Sequence, residues 1–372
     1  MRQKCFPPFY VPIDGFTLAQ NYTATINPGL EKVLQKEIRN FGAKKVQLFN
    51  GGVTFKTTSE KLYTILQKCR GASAIRWNVD NFKATDIREF FRKLERSNWE
   101  DLLKKGTVVS INAVTHKSRL HDLRDIEKAA KDAMTKMGYT IAKKGQDSVV
   151  ILVRFVDDRA NISIDIGGAA FYKRGWRTHA GRAPLRETIA ASLLNIVKFD
   201  SDWDGLSLHD PMCGSGTFLI ESALMALGRS PRVGRSYGIE KTGKFDEEKW
   251  QAIAKAPDLV LNETLDFLGS DIDENVIRYA MGNAQRAGVD QCRFVARSLE
   301  ESCLNQNSKW IITNPPYGAR LKKMAFIDPL RAKIKEGSRV FLLLPRDYAS
   351  VGRSIARFRN GGLPVAFVEL EL

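Results

Sequence analysis

The segment from His209 to Thr217, HDPMCGSGT, decides the fold of the C-terminal half of the chain. It follows the strand-like run LSL and precedes the helix-like run FLIESALMALG, so a short glycine turn joins a strand to a helix. From Leu206 onward, apolar strands alternate with amphipathic helices. This alternation predicts an α/β fold with a mostly parallel, doubly wound sheet.

Three predicted strand ends in this half carry unusual residues. The first is the glycine turn itself, the second is Asp271 within LGSDIDENV (268–276), and the third is Asn314 within TNPPYG (313–318). In doubly wound sheets, ligands bind outside the carboxyl ends of the strands. We therefore expect these three strand ends to line one site.

The glycine turn has the properties of a ligand-binding loop. Gly214 and Gly216 allow the backbone to turn tightly and to approach a ligand closely. The turn is not a dinucleotide fingerprint, because Leu219 stands where the third glycine would be, and it is not a P-loop, because no Gly-Lys-Ser/Thr follows. The preceding Asp210 suits a cationic ligand, although a GxG sequence also occurs in ordinary strand–helix turns.

Asp271 stands where a carboxylate can accept hydrogen bonds from both hydroxyls of a ribose. The neighbouring Ile272 would offer an apolar face to a nucleobase. Alternatively, Asp271 or Asp273 caps the helix that begins with ENVIRYAM. We assign the ribose to Asp271 and the helix cap to Asp273.

The TNPPYG segment ends an apolar strand with two prolines, which cannot continue it. Prolines lack an N–H group, so the carbonyls of Asn314 and Pro315, together with the Asn314 amide oxygen, form a rigid edge of acceptors. Such an edge complements the two hydrogens of an exocyclic amine on a base, and Tyr317 can stack on its ring. If a sulfonium methyl group lies beyond that nitrogen, positioning alone favours transfer. The alternative is an ordinary proline-rich loop.

The positive charge is concentrated in one half of the chain. The net charge is +16, and residues 1–180 hold 32 Lys and Arg against 18 Asp and Glu, whereas residues 181–372 hold 26 against 24. A basic module points to a polyanion, because each neutralised phosphate releases counterions. A basic surface that serves only solubility is the alternative.

The N-terminal half predicts two small α+β units. Residues 1–81 read as a ferredoxin-like unit of order β-α-β-β-α, in which Asn27 caps the first helix, Pro28 begins it and Gly42 ends it. Residues 82–166 read as helix, strand, helix, strand, strand. A phosphate-tracking surface is predicted on the second unit, although these charges also suit an ordinary solvated helix. Its residues are His116, Lys117, Arg119, Arg124, Lys128 and Lys131.

Residues 167–188 read as a linker with interleaved aromatic and basic side chains. These side chains either contact RNA by base stacking and phosphate binding or form a rigid link that packs on both domains. His179 alone is more typical of a polar surface residue. The residues concerned are Arg174, Trp176, Arg177, His179 and Arg182.

The remaining features exclude several classes of protein. The five cysteines form no CxxC pair, which indicates reduced thiols in a cytoplasmic protein, and no His/Cys/Asp cluster has metal-ligand spacing. No apolar run is long enough for a membrane span, and no signal peptide is evident. Cys213 as a methylation nucleophile is less plausible than Cys213 as a packing residue. Nothing demands more than a monomer.

Together these motifs resemble a known family. The chain is similar to two-domain RNA guanine-N2 methyltransferases that join a THUMP RNA-binding domain to a Rossmann-like S-adenosylmethionine domain, especially bacterial enzymes acting on 23S ribosomal RNA that were long described as N6-adenine-specific DNA methylases. The resemblance rests on INPGLEKVLQKEI, THKSRLHDLRDIEKAAKDAM, KRGWRTHAGRAPLRETIAASLL, DPMCGSGTFLIESALMA, GSDIDENV and TNPPYGARL.

The resemblance implies a role for each matching position. The cofactor is S-adenosylmethionine, the partner is structured RNA, and residues 189–372 form the catalytic domain. Asn314, Pro315, Pro316 and Tyr317 would hold the guanine amine. Ser298 stands where the family usually has an aspartate near the adenine, and Glu300 is a candidate substitute. Residues 184–188 (Pro184, Leu185, Glu187 and Thr188 among them) would close the pocket. The cofactor-binding set is Asp210, Pro211, Cys213, Gly214, Gly216, Thr217, Asp271, Ile272, Ser298, Leu299 and Thr188.

Three other functions stay open at this point. The first is a guanine-N2 methyltransferase of transfer RNA, because THUMP domains also serve such enzymes. The second is a non-catalytic RNA-binding or ribosome-assembly protein with a decayed cofactor pocket, which Ser298 favours. A DNA adenine methylase fits less well, because the basic N-terminal module resembles an RNA reader.

Overall fold

The computed structural model describes residues 22–181, 184–200, 207–255, 265–301, 309–316 and 325–371. Within these residues the chain forms two sheets, one of eight strands and one of seven. The strands are β1 (Tyr22–Thr25), β2 (Lys44–Phe49), β3 (Gly52–Lys56), β4 (Ala74–Lys83), β5 (Val108–His116), β6 (Thr140–Ile141), β7 (Val149–Val156), β8 (Arg159–Asp165), β9 (Ser207–Asp210), β10 (Asp266–Asp271), β11 (Arg293–Ala296), β12 (Trp310–Thr313), β13 (Arg339–Pro345), β14 (Gly352–Asn360) and β15 (Leu363–Leu370).

The helices cover the faces of the two sheets. They are α1 (Glu31–Asn40), α2 (Ser59–Lys68), α3 (Ile87–Arg96), α4 (Leu123–Lys136), α5 (Glu187–Asp200), α6 (Thr217–Ala226), α7 (Glu247–Ala254), α8 (Glu274–Arg286) and α9 (Ile327–Arg331). No helix among the described residues is both long and apolar enough to cross a bilayer.

The N-terminal sheet is continuous through both predicted N-terminal units. Its strand order is β2-β3-β1-β4-β8-β7-β5-β6, and β4 pairs with β1 on one side and with β8 on the other. The proposed boundary between residues 81 and 82 therefore falls within β4. The sequence pattern does not reveal this strand, because Arg76, Asn78 and Asp80 interrupt its apolar residues.

The start of α1 differs from the prediction. Asn27 was expected to cap the helix and Pro28 to begin it, but α1 starts at Glu31. The Asn27 side-chain amide instead donates to the carbonyl of Arg359 at 2.9 Å. Glu31 accepts hydrogen bonds from the N–H groups of Gly29 and Gly51 and so stabilises the first turn. The end of the helix at Gly42, with φ +78°, agrees with the prediction.

The C-terminal sheet confirms the predicted α/β fold. Its order is β11-β10-β9-β12-β13-β15-β14. The five strands from β11 to β13 are parallel, which places their carboxyl ends at one edge, whereas β15 is antiparallel to β13 and to β14. The sheet is therefore mixed. The antiparallel pair is joined by the two-residue turn Gly361-Gly362, and β14 was not predicted.

A buried arginine cluster joins the two halves of the chain. Arg174 lies between them at 0% exposure, and its guanidinium donates to Glu221 on α6 at 2.9 Å and to the carbonyl of Arg70 at 2.7 Å. Arg70 also approaches Glu221, at 3.7 Å. Arg232 donates to the carbonyl of Leu66 at 2.7 Å. Because a buried carboxylate requires a charged partner, Glu221 fixes Arg174 and Arg70 at the domain interface.

Candidate functional site

A cleft of about 1570 Å³ lies at the carboxyl edge of the C-terminal sheet. It brings together all three predicted strand ends, because the turn after β9, the end of β10 and the segment after β12 line the same space. Twelve of the predicted site residues lie on its walls: Asp210, Pro211, Cys213, Gly214, Thr217, Asp271, Ile272, Ser298, Leu299, Asn314, Pro315 and Pro316.

The glycine turn presents its backbone to this cleft. Gly214 has φ +53°, in the left-handed region that side chains disfavour, and a Cβ atom added there would meet no atom within 4 Å. Its N–H donates to Asp271 Oδ2 at 2.9 Å. Gly214 thus leaves open space beside an acceptor, which suits the close approach of a ligand.

Gly216 has a different role from Gly214. Its φ is +81°, and an added Cβ would lie 3.0 Å from the Phe294 ring and 3.2 Å from Ala280. The absence of a side chain at Gly216 therefore allows α6 to begin close against its neighbours. Gly216 is not among the residues that line the cleft, and its contact with the cofactor stays a prediction.

Asp210 is a buried carboxyl group at the base of the cleft. Burial raises its pKa to about 7, and the hydrogen bond from the Met212 N–H, at 3.2 Å, opposes that rise. The nearby charge of Asp271 raises the pKa further. Among the described residues no Lys or Arg pairs with Asp210. The carboxyl group is therefore suited to a cationic ligand, whose charge would favour ionisation.

Of the two roles predicted for Asp271 and Asp273, the structure shows the helix cap. The Asp273 side chain accepts a hydrogen bond from Asn275 N at 2.8 Å and caps α8, which confirms the cap. Asp271 is left facing the cleft and also accepts from the N–H of Asp273. Ile272, beside it, is 77% exposed, so its apolar surface is available to a planar group.

The strand β12 brings the segment that was predicted to be an acceptor edge to the same cleft. β12 runs parallel between β9 and β13 and ends at Thr313, so Asn314 follows at the carboxyl edge. Asn314, Pro315 and Pro316 line the same cleft as Gly214. Tyr317, predicted to stack on the target base, lies outside the described residues.

The wall near β11 contains Ser298 and Leu299. The Ser298 hydroxyl accepts from Glu301 N at 3.2 Å, and the Ser298 N–H donates to the Glu301 carboxylate at 3.4 Å. Leu299 is buried, and Glu300 also lines the cleft. Ser298 therefore stabilises the turn from 298 to 301 by its two hydrogen bonds with Glu301. Glu300 contributes a carboxylate to this part of the cleft.

Cys213 lines the cleft, but its thiol is buried. Burial raises its pKa well above the ordinary value, and the charges of Asp210 and Asp271 raise it further. A thiolate nucleophile requires a lowered pKa. This environment agrees with the packing role. No group of three or more His, Cys, Asp or Glu among the described residues is arranged to hold a metal ion.

The segment 184–188 reaches the cleft only in part. Pro184 and Leu185 line it, whereas Thr188 is buried in α5 and does not, so a contact between Thr188 and the cofactor stays a prediction. Glu187 is also buried and pairs with Arg177 at 2.7 Å. Burial raises the pKa of Glu187, and the Arg177 charge opposes that rise.

Arg177, predicted to contact RNA, bonds within the protein in this structure. Its guanidinium donates to Ser215 Oγ and Thr217 Oγ1, each at 2.7 Å, and to Glu187. It therefore fastens the 184–188 segment to the glycine turn and is not available to an RNA phosphate. The signal for this was its position ten residues before Glu187 in an otherwise basic stretch.

Arg174 and Trp176 also lie away from solvent. Arg174 is fully buried against Glu221, which corrects its assignment as an RNA contact, and Trp176 is fully buried as well. Arg174 bonds to residues of both halves of the chain, as the alternative of a rigid link predicts. His179 is exposed and stacks on Tyr279 at 5.3 Å between ring centroids. Arg182 lies outside the described residues.

The predicted phosphate-tracking surface is exposed. Lys117, Arg119, Arg124 and Lys128 lie at the end of β5 and on α4 with solvent-facing side chains, and His116 is half-buried. Arg124 pairs with the helix-capping Asp122 at 3.1 Å, and Arg119 approaches Asp158 at 3.8 Å. Exposed pairs of this kind contribute little to stability, so these two pairs do not prevent Arg119 and Arg124 from contacting a polyanion.

Two family models match the chain. Residues 174–337 match the RMKL-like methyltransferase domain, and residues 21–75 match the RlmL ferredoxin-like domain. The chain is similar to the ribosomal RNA large subunit methyltransferase K/L of Psychromonas ingrahamii, with 32% identity over 79% of this chain and 41% of the relative. The protein of the same description from Vibrio campbellii is 32% identical over 81% of this chain and 44% of the relative. The chain thus spans less than half the length of these curated relatives.

Solved structures agree with the architecture over nearly the whole chain. SMU.472, solved in complex with SAH, superposes with a TM-score of 0.81 at 27% identity and covers 94% of this chain and 97% of its own. TrmN from Thermus thermophilus superposes with a TM-score of 0.68 at 19% identity, covering 94% of this chain and 99% of its own, and shows the fold alone.

Proposed function

The chain belongs to the family that joins a RlmL ferredoxin-like domain to an RMKL-like methyltransferase domain, and on that premise we propose that it is an S-adenosylmethionine-dependent RNA methyltransferase. The proposed product is N2-methylguanine in 23S ribosomal RNA. One observation carries the proposal: Asp210, Asp271 and Asn314, from three separate strand ends, line a single cleft.

The cleft residues fit S-adenosylmethionine by their chemistry. Gly214 leaves space that an added Cβ would occupy, Asp210 is a buried carboxyl with no cationic partner among the described residues, and Asp271 offers carboxylate oxygens beside that space. Asp210 would hold the cationic methionine part, Asp271 the ribose, and Ile272 one face of the adenine. When bound, S-adenosylmethionine supplies an electrophilic methyl group on a sulfonium.

The acceptor edge orients the nitrogen that is methylated. The Asn314 amide oxygen and the carbonyls of Asn314 and Pro315 accept the two hydrogens of the guanine amine, which withdraws its lone pair from the ring and directs it forward. A base flipped out of its stack can enter the cleft in this orientation. The amine loses its proton after transfer, because an ammonium product is acidic, so this edge works by positioning.

The RNA substrate is supported by charge and by the relatives. The exposed cations on β5 and α4 suit phosphate contacts, and the matched relatives are named for ribosomal RNA of the large subunit. We place the THUMP-type RNA contacts on residues 82–166 and the reaction in the cytoplasm, with the protein acting as a monomer.

The test measures cofactor binding and product formation together. Calorimetry with S-adenosylmethionine on the wild type should give saturable heat, and in-vitro-transcribed 23S ribosomal RNA should yield N2-methylguanosine by nucleoside mass spectrometry. Asn314→Ala should lower the rate about 100-fold or more, as loss of an oriented polar contact does in other active sites, while cofactor affinity stays unchanged.

Three outcomes separate the proposal from its alternatives. Product on transfer RNA but not on 23S ribosomal RNA would move the substrate to transfer RNA. Saturating cofactor with neither heat nor thermal stabilisation would indicate a non-catalytic RNA-binding protein, since ligand at 100 times its dissociation constant adds about 2.7 kcal/mol. Full activity in Asn314→Ala would remove the amine-orienting role.

A further inference from the structure

The hairpin formed by β14 and β15 reaches the mouth of the cleft. Its strands pair from Gly352 with Leu370 to Asn360 with Leu363, and the turn is Gly361-Gly362. Because β15 runs antiparallel to β13, with Val365 opposite Pro345, this turn lies at the carboxyl edge of the sheet. Asn360, Gly361 and Leu363 consequently line the cleft that Asn314 and Pro315 also line.

The hairpin is basic, although its domain is nearly neutral. Residues 348–368 contain Arg353, Arg357 and Arg359 and no Asp or Glu. Arg353 pairs with Glu369 at 2.5 Å. Arg357 and Arg359 are exposed, and neither makes an ion pair within the part of the chain that the structure describes. Two cations therefore face solvent close to the cleft.

Successive side chains of β14 alternate between the two faces of the sheet, and this alternation fixes the direction of Arg357 and Arg359. Phe358 lies between them and is buried in the core, so Arg357 and Arg359 project from the opposite face of β14. Arg359 also donates to the carbonyl of Gly362 at 2.8 Å, which holds its guanidinium at the tip of the hairpin. Arg357 donates to Ser354 Oγ at 3.1 Å.

The N-terminal half holds the hairpin in place. Asn27 donates to the carbonyl of Arg359 at 2.9 Å, and the backbone at Gly29 is so close to β14 that an added Cβ would lie 2.2 Å from the Arg357 carbonyl. Phe358 packs beside the same glycine. The position of the hairpin is thus fixed by contacts with both halves of the chain.

The tip of the hairpin carries an exposed apolar side chain. Leu363 is 55% exposed and lines the cleft. Gly361 and Gly362 have φ of +56° and +91°, and an added Cβ at either would meet nothing within 4 Å. The tip therefore has free space around it on the side of the cleft.

We propose that this hairpin is an RNA-contacting arm that binds the strand on either side of the target nucleotide. Arg357 and Arg359 bind backbone phosphates, and Leu363 packs against a nucleobase next to the one that enters the cleft. Apolar side chains at such positions keep neighbouring bases unstacked. The inference rests on the proposed function, because it assigns a second RNA surface to the same site.

The experiment measures binding of in-vitro-transcribed 23S ribosomal RNA as a function of salt, together with steady-state methylation. For Arg357→Gln/Arg359→Gln we expect the slope of log K against log salt to fall by about 1.5, since each phosphate contact contributes about 0.7 to 0.9. The KM for RNA should rise about 10-fold, with kcat and cofactor affinity unchanged. Arg357→Gln alone should show half the change in slope without altering the Arg359–Gly362 contact.

The matched control removes two cations from the other edge of the sheet. Arg331 and Lys335 are exposed near the start of β13, and Arg331 donates to the carbonyl of Glu371 beyond the end of β15. Arg331→Gln/Lys335→Gln should therefore keep the wild-type salt slope. Leu363→Ser should lower kcat/KM for RNA about 10-fold without changing the slope, because it removes packing and not charge.

The outcomes distinguish the hairpin from the proposed function. The proposal that the hairpin binds RNA would be overturned if Arg357→Gln/Arg359→Gln kept the wild-type salt slope and KM. It would also be overturned if the control variant Arg331→Gln/Lys335→Gln lost as much of the salt slope. If the wild type binds the RNA but forms no methylated product, the proposed function fails, and the comparison of salt slopes still decides whether the hairpin binds RNA.

Discussion

The backbone N–H of Gly214 donates to Asp271 Oδ2 at 2.9 Å and thereby ties the glycine turn after β9 to the carboxyl end of β10. This bond orients one carboxylate oxygen toward the turn. The other oxygen accepts from the Asp273 N–H at 3.1 Å. The orientation of the Asp271 carboxylate is therefore fixed before any ligand arrives.

Asp271→Asn should weaken S-adenosylmethionine binding about 10- to 100-fold. The amide keeps only one acceptor oxygen, and hydrogen bonds to charged groups contribute about 1.5–3 kcal/mol each. Calorimetry measures the change. Asp273→Asn is the matched control, because asparagine caps helices as well as aspartate does. Equal affinity in both variants would argue against the ribose role of Asp271.

Gly214→Ala should mainly lower the affinity for the cofactor, whereas Gly216→Ala should mainly lower the stability of the fold. Each places alanine at positive φ, which costs about 1–2 kcal/mol, but only the Gly216 substitution also meets the Phe294 ring. We expect Gly216→Ala to be the less stable variant. Gly214→Ala should lose more than about 10-fold in cofactor affinity, because its methyl group enters the open space. Thermal unfolding and calorimetry separate the effects, and normal cofactor binding by Gly214→Ala would contradict the assignment.

The Asp210 carboxyl should make stability depend on pH. Burial raises its pKa from the ordinary value of 3.8 to about 7, so the folded protein binds a proton that the unfolded chain has released above about pH 4. Its contribution to stability is present at low pH and is lost as the pH rises from about 4 to about 7. Asp210→Asn removes this dependence and should become more stable relative to the wild type over that range, by a few kcal/mol, since each pKa unit corresponds to about 1.4 kcal/mol.

Chemical denaturation at pH 5, 6, 7 and 8 measures this difference. S-adenosylmethionine should bind the wild type more tightly as the pH rises through about 7, because its positive charge favours the ionised carboxylate. Asp210→Asn should bind weakly and without this rise. A difference in stability that stays constant between pH 5 and pH 8 would show that the pKa of the Asp210 carboxyl group is not raised in the folded protein.

Arg174→Met should destabilise the protein and leave the salt dependence of RNA binding unchanged. Loss of one partner from a buried ion pair costs about 3–5 kcal/mol, here moderated by the remaining approach of Arg70 to Glu221. Lys128→Gln should leave the free energy of unfolding within about 0.5 kcal/mol of the wild type. It should instead lower the salt slope of RNA binding, because it removes an exposed cation. A changed slope in Arg174→Met would restore an RNA role for that arginine.

The sequence predicts the cleft well, because the alternation of strands and helices determines where strand ends meet. Asp210, Asp271 and Asn314 lie at the ends of predicted strands, Gly214 lies in the turn after the first of these strands, and parallel strands bring such positions to one edge. Gly216 follows the same pattern, but whether a glycine faces a ligand or a neighbouring ring depends on packing that the pattern does not encode.

The arginines of the linker show the limit of charge as a predictor. Arg174 and Arg177 look like RNA contacts in a basic stretch, yet both meet a buried carboxylate. The available signal for Arg174 was Glu221, a single acidic residue within the apolar helix TFLIESALMA, because a carboxylate at such a position requires a cation from elsewhere in the chain. Strand β4 escaped detection because its polar side chains bond within the sheet, as Asn78 does with Thr23.

The strand β4 has a consequence for target choice. Since it bonds to β1 and β8 at once, the N-terminal half has one continuous sheet, and Arg174 links that half to the C-terminal half by donating to the Arg70 carbonyl and to Glu221. A polynucleotide held on β5 and α4 would then present only those nucleotides that lie one fixed span away. If the proposed function is right, the distance between the RNA-binding surface and the cleft would then help to select the methylated base, in addition to the shape of the RNA.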